Sequence, residues 1–207
     1  MRLRALGLVA ASALFASGCT IFIDGHVDVV AVRKVGNDLE VGFIDYSTGT
    51  PVWRQPNEVM SVAANPAKTT IPSSLAFRFL GAAGAPVWVL PQTQNPQLLW
   101  AGWNTQQIPS GFLQHDRISW KMTHVLGPGA VHLFTTTPLG APTVLFDSDD
   151  GLPDSVNVRI GTHAHGNWAF SAEGPYIVGF EISATTTTGT VITKDVNYAF
   201  AVPEVGS

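Results

Sequence analysis

Apolar and polar residues alternate with a period of two in short runs along most of the chain. The clearest run is 117–126, where Ile118, Trp120, Met122 and His124 fall on one side and Arg117, Ser119, Lys121 and Thr123 on the other. Successive side chains of an extended backbone leave opposite faces, so this run predicts a strand with its Ile118 side on a core and His124 buried or at the rim. Residues 26–33 and 39–46 are β-branched or aromatic runs joined through Gly36-Asn37-Asp38, which predicts a hairpin. Further strands are expected at 59–63, 75–80, 87–91, 98–103, 130–136, 143–146 and 155–160. A terminal hairpin is expected to pair 175–187 with 191–202 around Thr188-Gly189-Thr190. Pro51, Pro56, Pro66 and Pro72 mark turns or sheet edges. No helical period follows residue 19. The pattern predicts an all-β fold, an antiparallel β-sandwich of immunoglobulin-like or related type, as one domain over 26–202 with an exposed tail at 203–207. It sets the faces of each strand and leaves the strand order open.

The first 19 residues break this pattern. Arg2 and Arg4 precede an apolar run, 5–15, that is too short to cross a bilayer as a permanent helix. The run closes on Ala16-Ser17-Gly18-Cys19, which resembles the lipobox of bacterial lipoproteins, with alanine where leucine is commoner. Cys19 is the sole cysteine, so no intramolecular disulfide can form, and its position makes it the expected lipidation site. These features predict a lipoprotein signal peptide, 1–18, and a short tether, 19–25, after acylated Cys19. The domain would then be held at the bacterial cell envelope, with the membrane as a partner through its lipid anchor and no spanning helix.

Composition narrows the function classes. With 45% hydrophobic and 13% charged residues in 207, the chain suits a well-packed domain. Without Arg2 and Arg4, nine basic residues face fifteen acidic ones, a net charge of −6, and no basic cluster remains. That balance argues against nucleic acid as a partner.

The candidate chemistry centres on Gly161-Thr162-His163-Ala164-His165-Gly166-Asn167-Trp168-Ala169-Phe170. It holds two of the six histidines one residue apart. On a strand, His163 and His165 share a face about 7 Å apart and can reach one point. His26 and Asp28 share a face of the first strand by the same rule, and the four would complete a metal site if the two strands lie close. Imidazole and carboxylate ligands suit zinc or another divalent transition metal. If the motif is one regular strand, Trp168 and Phe170 face away from the histidines into the core, and a bend at Gly166 would break that phase. Asp147, Asp149 and Asp150 before Gly151 partly resemble a calcium loop, but the glycine comes early and the distant glutamate is missing, so calcium is less favoured than a solvated turn. Trp53, Trp88, Trp100 and Trp103 offer two readings, an aromatic platform for a glycan or protein partner, chiefly Trp88, Trp100 and Trp103, or core filling. No serine elbow, phosphate loop or dinucleotide fingerprint occurs, so no enzyme is expected.

Dispersed segments resemble the choice-of-anchor M family, also described as an actinobacterial surface-anchored protein domain. They are Gly25-His26-Val27-Asp28, Pro86-Val87-Trp88-Val89-Leu90-Pro91-Gln92, Gly127-Pro128-Gly129, Leu145-Phe146-Asp147-Ser148 with Asp150-Gly151, and 161–170 continuing to Gly174 and Tyr176. The resemblance implies display at the cell surface and a divalent metal, because some members lie beside ABC transporters similar to zinc and manganese importers. Two functions are therefore expected in competition. One is a metal-binding envelope lipoprotein serving metal acquisition, with a metal ABC transporter or other surface component as partner. The other is an adhesive, glycan-binding or structural surface module with no metal.

Overall fold

The computed structural model describes residues 18–203. Apart from Gly18 the expected signal peptide lies outside the described residues, as does the tail beyond Pro203. In chain order the strands are β1 (Thr20–Phe22), β2 (Gly25–Val35), β3 (Asp38–Asp45), β4 (Val52–Arg54), β5 (Val59–Val62), β6 (Lys68–Thr70), β7 (Pro86–Leu90) and β8 (Leu99–Gln107). They continue as β9 (Arg117–Leu126), β10 (Val131–Thr136), β11 (Pro142–Asp147), β12 (Asp154–Arg159), β13 (His163–His165), β14 (Asn167–Phe170), β15 (Gly174–Thr185) and β16 (Val191–Val202). Three sheets result, ordered β1-β5-β16-β15-β9-β12, β11-β10-β14-β7-β6 and β13-β8-β2-β3-β4. The fold is all-β and sandwich-like, with no barrel. Most neighbours run antiparallel, while β1 with β5, β5 with β16 and β2 with β8 run parallel.

One core joins the three sheets. Trp120 on β9 packs against Trp103 on β8 at 5.7 Å and Phe146 on β11 at 4.8 Å between ring centres. Ile118, Trp120 and Met122 are buried together, as the alternation of 117–126 predicts, but His124 leaves their phase, because a bulge pairs Met122 with Phe180 and His124 with Gly179, and the half-buried His124 ring lies over bare Gly179 on the outer face. Both expected hairpins form. Val35 lies opposite Asp38 across the β2–β3 turn, and β15 and β16 pair along their whole length.

Three further expectations are corrected. Residues 75–80 form a 3-10 helix, not a strand, with Ser74 Oγ accepting from Ala76 N at its start. The second sheet explains this. Its outer face carries Val87, Phe134 and Ala169, and Phe77 and Phe79 of the helix pack over them, so the segment covers a sheet instead of extending one. The segment 19–25 is not a free tether, because β1 pairs with β5 and Phe22 is buried against Phe43, ring centres 5.0 Å apart. Residues 161–170 are not one strand with two sides. They split at Gly166 into β13, in the third sheet, and β14, in the middle of the second. A Cβ at Gly166 would sit 2.7 Å from Cδ1 of the buried Leu133 and 3.2 Å from Phe134 O, so any larger residue at the crossover would have to displace Leu133. Trp168, Ala169 and Phe170 are then all buried, since β14 is covered on both faces.

Candidate metal centre

The third sheet turns Val27, Leu99, Ala101 and Trp103 toward the core, with Ala164 packed against them. Alternation therefore sends His26, Asp28, Trp100, Gly102, Asn104, His163 and His165 to its other face. The register aligns them. On the parallel β2–β8 pair His26 lies beside Trp100 and Asp28 beside Gly102. On the antiparallel β8–β13 pair His165 lies opposite Gly102 and His163 opposite Asn104. Asp28, Gly102 and His165 thus form one row across three strands. The outer two strands are separated by about 9–10 Å, and their side chains meet only because the middle position is bare. A Cβ at Gly102 would come within 2.7 Å of both Asp28 Oδ1 and His165 Cε1.

Above that gap four ligand atoms converge, one each from His26, Asp28, His163 and His165, all within 4.8 Å of one another. His26 Nε2 is 3.2 Å from His163 Nε2. Asp28 Oδ1 is 3.0 Å from His163 Nε2 and 3.7 Å from His26 Nε2. Four ligands at zinc–nitrogen and zinc–oxygen lengths stand about 3.3–3.5 Å apart along a tetrahedron's edges. The separations among His26, Asp28 and His163 bracket that value, and His165 completes the set within 4.8 Å.

The polar accounting points the same way. Asp28 Oδ1 is buried and, although close to His163, has no donor in line with it, and both ring nitrogens of His165 are buried without a partner. Each unsatisfied group of this kind costs about 1–3 kcal/mol, and a cation at the focus would satisfy them. Burial, reinforced by the neighbouring His26, pushes His165 down to about 4. Burial likewise lowers His26, against the pull of Asp28. Neutral imidazole is the form that ligates metal. The side chains of His26 and His163 remain 22% and 28% exposed, so the focus is reachable from solvent, whereas Asp28 is fully buried.

Residues that the sequence did not single out hold this arrangement. Tyr46 Oη and Asn104 Nδ2 each donate to Asp28 Oδ2 at 2.9 Å. Burial and the adjacent Asp28 push the Tyr46 phenol up to about 12, which keeps it a donor. The Tyr46 ring stacks on His26 at 4.1 Å and the Trp100 ring on His165 at 3.7 Å, while Trp100 Nε1 donates to Gln92 O. Tyr46 could have been found from the hairpin, because continuing its register one residue past the Val27–Asp45 pair brings Tyr46 to His26, whose O accepts the Tyr46 N–H. Gly102 and Asn104 carry no signal until β8 is known to lie between β2 and β13.

The other candidates do not assemble a surface. Trp88 and Trp103 are only 4% and 7% exposed and fill the core, leaving Trp100 half-buried against the histidines, so the three form no common platform. Trp53 lies under the Arg33 guanidinium at 4.0 Å and donates to Glu40. The Asp147–Asp154 segment is a self-bonded turn, with Asp149 N on Asp147 Oδ1 and Asp147 N on Asp154 Oδ2. Cys19 is half-buried at the foot of β1. Comparison with protein-family models, curated proteins and solved structures finds no match for this chain, so its reading rests on the geometry just described.

Proposed function

We propose that this chain is a metal-binding domain of the bacterial cell envelope, anchored through acylated Cys19, which holds zinc or a similar divalent transition ion for acquisition. The observation that carries the reading is the convergence of His26, Asp28, His163 and His165 from two strands 137 residues apart in sequence. Three imidazoles and one carboxylate favour zinc over calcium, which takes six to eight oxygens. Four protein ligands leave no open position for a substrate, which suits carriage of the ion. Partial exposure of His26 and His163 gives it a path in and out, and the resemblance noted above makes a metal ABC transporter the partner of choice for delivery.

Calorimetric titration of zinc into the chelator-stripped protein tests this. The expected result is saturable heat at one ion per chain, lost when His163→Ala and His165→Ala are combined. No heat, together with an unchanged unfolding temperature in zinc, overturns the proposal.

A further inference from the structure

We infer that Tyr46 and Asn104 fix the coordination number of the ion at this centre and thereby select a four-coordinate transition metal over ions that require more oxygen ligands. The inference rests on the metal reading above and concerns residues that do not touch the ion. A carboxylate can give a metal one oxygen or both. At Asp28 the neighbours settle the choice. Oδ2 accepts from the Tyr46 hydroxyl and from the Asn104 amide, each at 2.9 Å, and only Oδ1 is turned toward the imidazoles.

The amide's orientation is itself determined. Gln106 N–H can only donate, and it donates to Asn104 Oδ1 at 2.8 Å, so Asn104 Nδ2 must face Asp28. The Tyr46 ring is held by its stack on His26. Asp28 and Asn104 are both buried, so a lost donor would not be replaced freely by water. Bidentate binding would have to break both bonds to Oδ2. With that oxygen committed, the chain offers one oxygen and three nitrogens. Zinc and cobalt(II) accept such a set, whereas manganese and calcium favour six or more ligands, chiefly oxygen. They could reach that number here only by adding waters among three crowded rings.

The experiment uses the purified full chain, stripped of metal with chelator. Cobalt(II) is titrated and its visible absorption recorded, and zinc and manganese(II) affinities are measured by calorimetry. The native protein is expected to give the intense bands of four-coordinate cobalt and a strong preference for zinc. Tyr46→Phe keeps the stacked ring and removes one donor, and Asn104→Ala removes the other. Each is expected to weaken the cobalt bands toward the five- or six-coordinate form and to lower the zinc-to-manganese affinity ratio about 10- to 100-fold. Thermal unfolding in chelator shows whether each variant folds, and the native spectrum needs no variant. A six-coordinate cobalt spectrum from the native protein overturns the inference, as do folded variants that keep the native spectrum and ratio, and in either case the metal reading stands. A native protein that takes up neither cobalt nor zinc overturns both.

Discussion

Two His–Asp groupings among the described residues differ in where their polar atoms are spent. At the His132–Asp147 turn, His132 Nδ1 lies 3.0 Å from Asp147 Oδ1, that same oxygen accepts Asp149 N, and Asp154 Oδ2 accepts Asp147 N. One histidine meets carboxylates whose oxygens serve the local backbone, and its buried Nδ1, although near Asp147, is a single unpartnered atom with no second imidazole beside it. At the His26–His163 centre the division runs the other way. Tyr46 and Asn104 take up one oxygen of Asp28, while the other oxygen and three imidazoles are left facing one another. The lesson is that proximity of histidine and aspartate does not mark a ligand site. What marks it is the convergence on one point of several ligand atoms, among them buried atoms of Asp28 and His165 for which the protein supplies no partner.

The strongest test of this contrast exchanges the sites. Zinc at a hundredfold excess over its Kd should stabilise the native protein by about 2.7 kcal/mol, a rise of roughly 5–10 °C in unfolding temperature for a domain of this size. His163→Ala with His165→Ala should abolish that rise, whereas His132→Ala should lower the starting stability and leave the rise intact. Differential scanning calorimetry with and without zinc reads both.

A smaller but sharper effect is expected at the bare position between the ligand strands. Gly102→Ala places a methyl group against Asp28 Oδ1 and His165 Cε1, so zinc affinity should fall at least about tenfold while far-UV circular dichroism stays native. Equal affinity in this variant would mean that the row of Asp28, Gly102 and His165 does not frame the ion.

Acid should distinguish the metal-free protein next. His165 titrates at about 4 when folded against its ordinary 6.5, because burial disfavours its charge. As pH falls below 6.5 the unfolded chain gains a proton that the folded chain refuses, so the unfolded state is favoured and stability declines down to about pH 4, below which this contribution stays lost. Denaturant midpoints measured across that window should be less acid-sensitive in His165→Ala. The smallest effect belongs to the aspartate turn. Asp150 is exposed, and the neighbouring Asp147 raises its carboxyl, so Asp150→Asn should change stability by no more than about 0.5 kcal/mol. Millimolar calcium should not move the unfolding temperature of either protein.

Much of the sheet structure was legible because its strands carry at least one apolar face, bounded by turn residues. β9 follows from period-two alternation, β2 and β3 from β-branched and aromatic runs around Gly36-Asn37-Asp38, and the β15–β16 hairpin from two strand-like runs around Thr188-Gly189-Thr190. The segment 75–80 misled for a physical reason. Its phenylalanines alternate as a strand's would, but they seat on the outer face of the second sheet from a capped 3-10 turn. The ligand pairs were legible too, since His26 with Asp28 and His163 with His165 each obey the same-face rule. Their meeting was not. It depends on a parallel partner, β8, inserted between two strands far apart in sequence, and on the absence of a side chain at Gly102. Neither leaves a local pattern. The split at Gly166 was legible only as an interruption, because which sheet receives each half is decided by tertiary packing.

The 137 residues that separate His26 from His163 carry one more consequence. A domain with a single cysteine cannot staple distant parts of itself covalently. An ion shared by β2 and β13 would be a reversible clasp over most of the chain, fastening an edge strand that is otherwise hydrogen-bonded on one side only. Chelation would open the clasp without breaking any covalent bond, and β13 would be the first part of the third sheet to feel it.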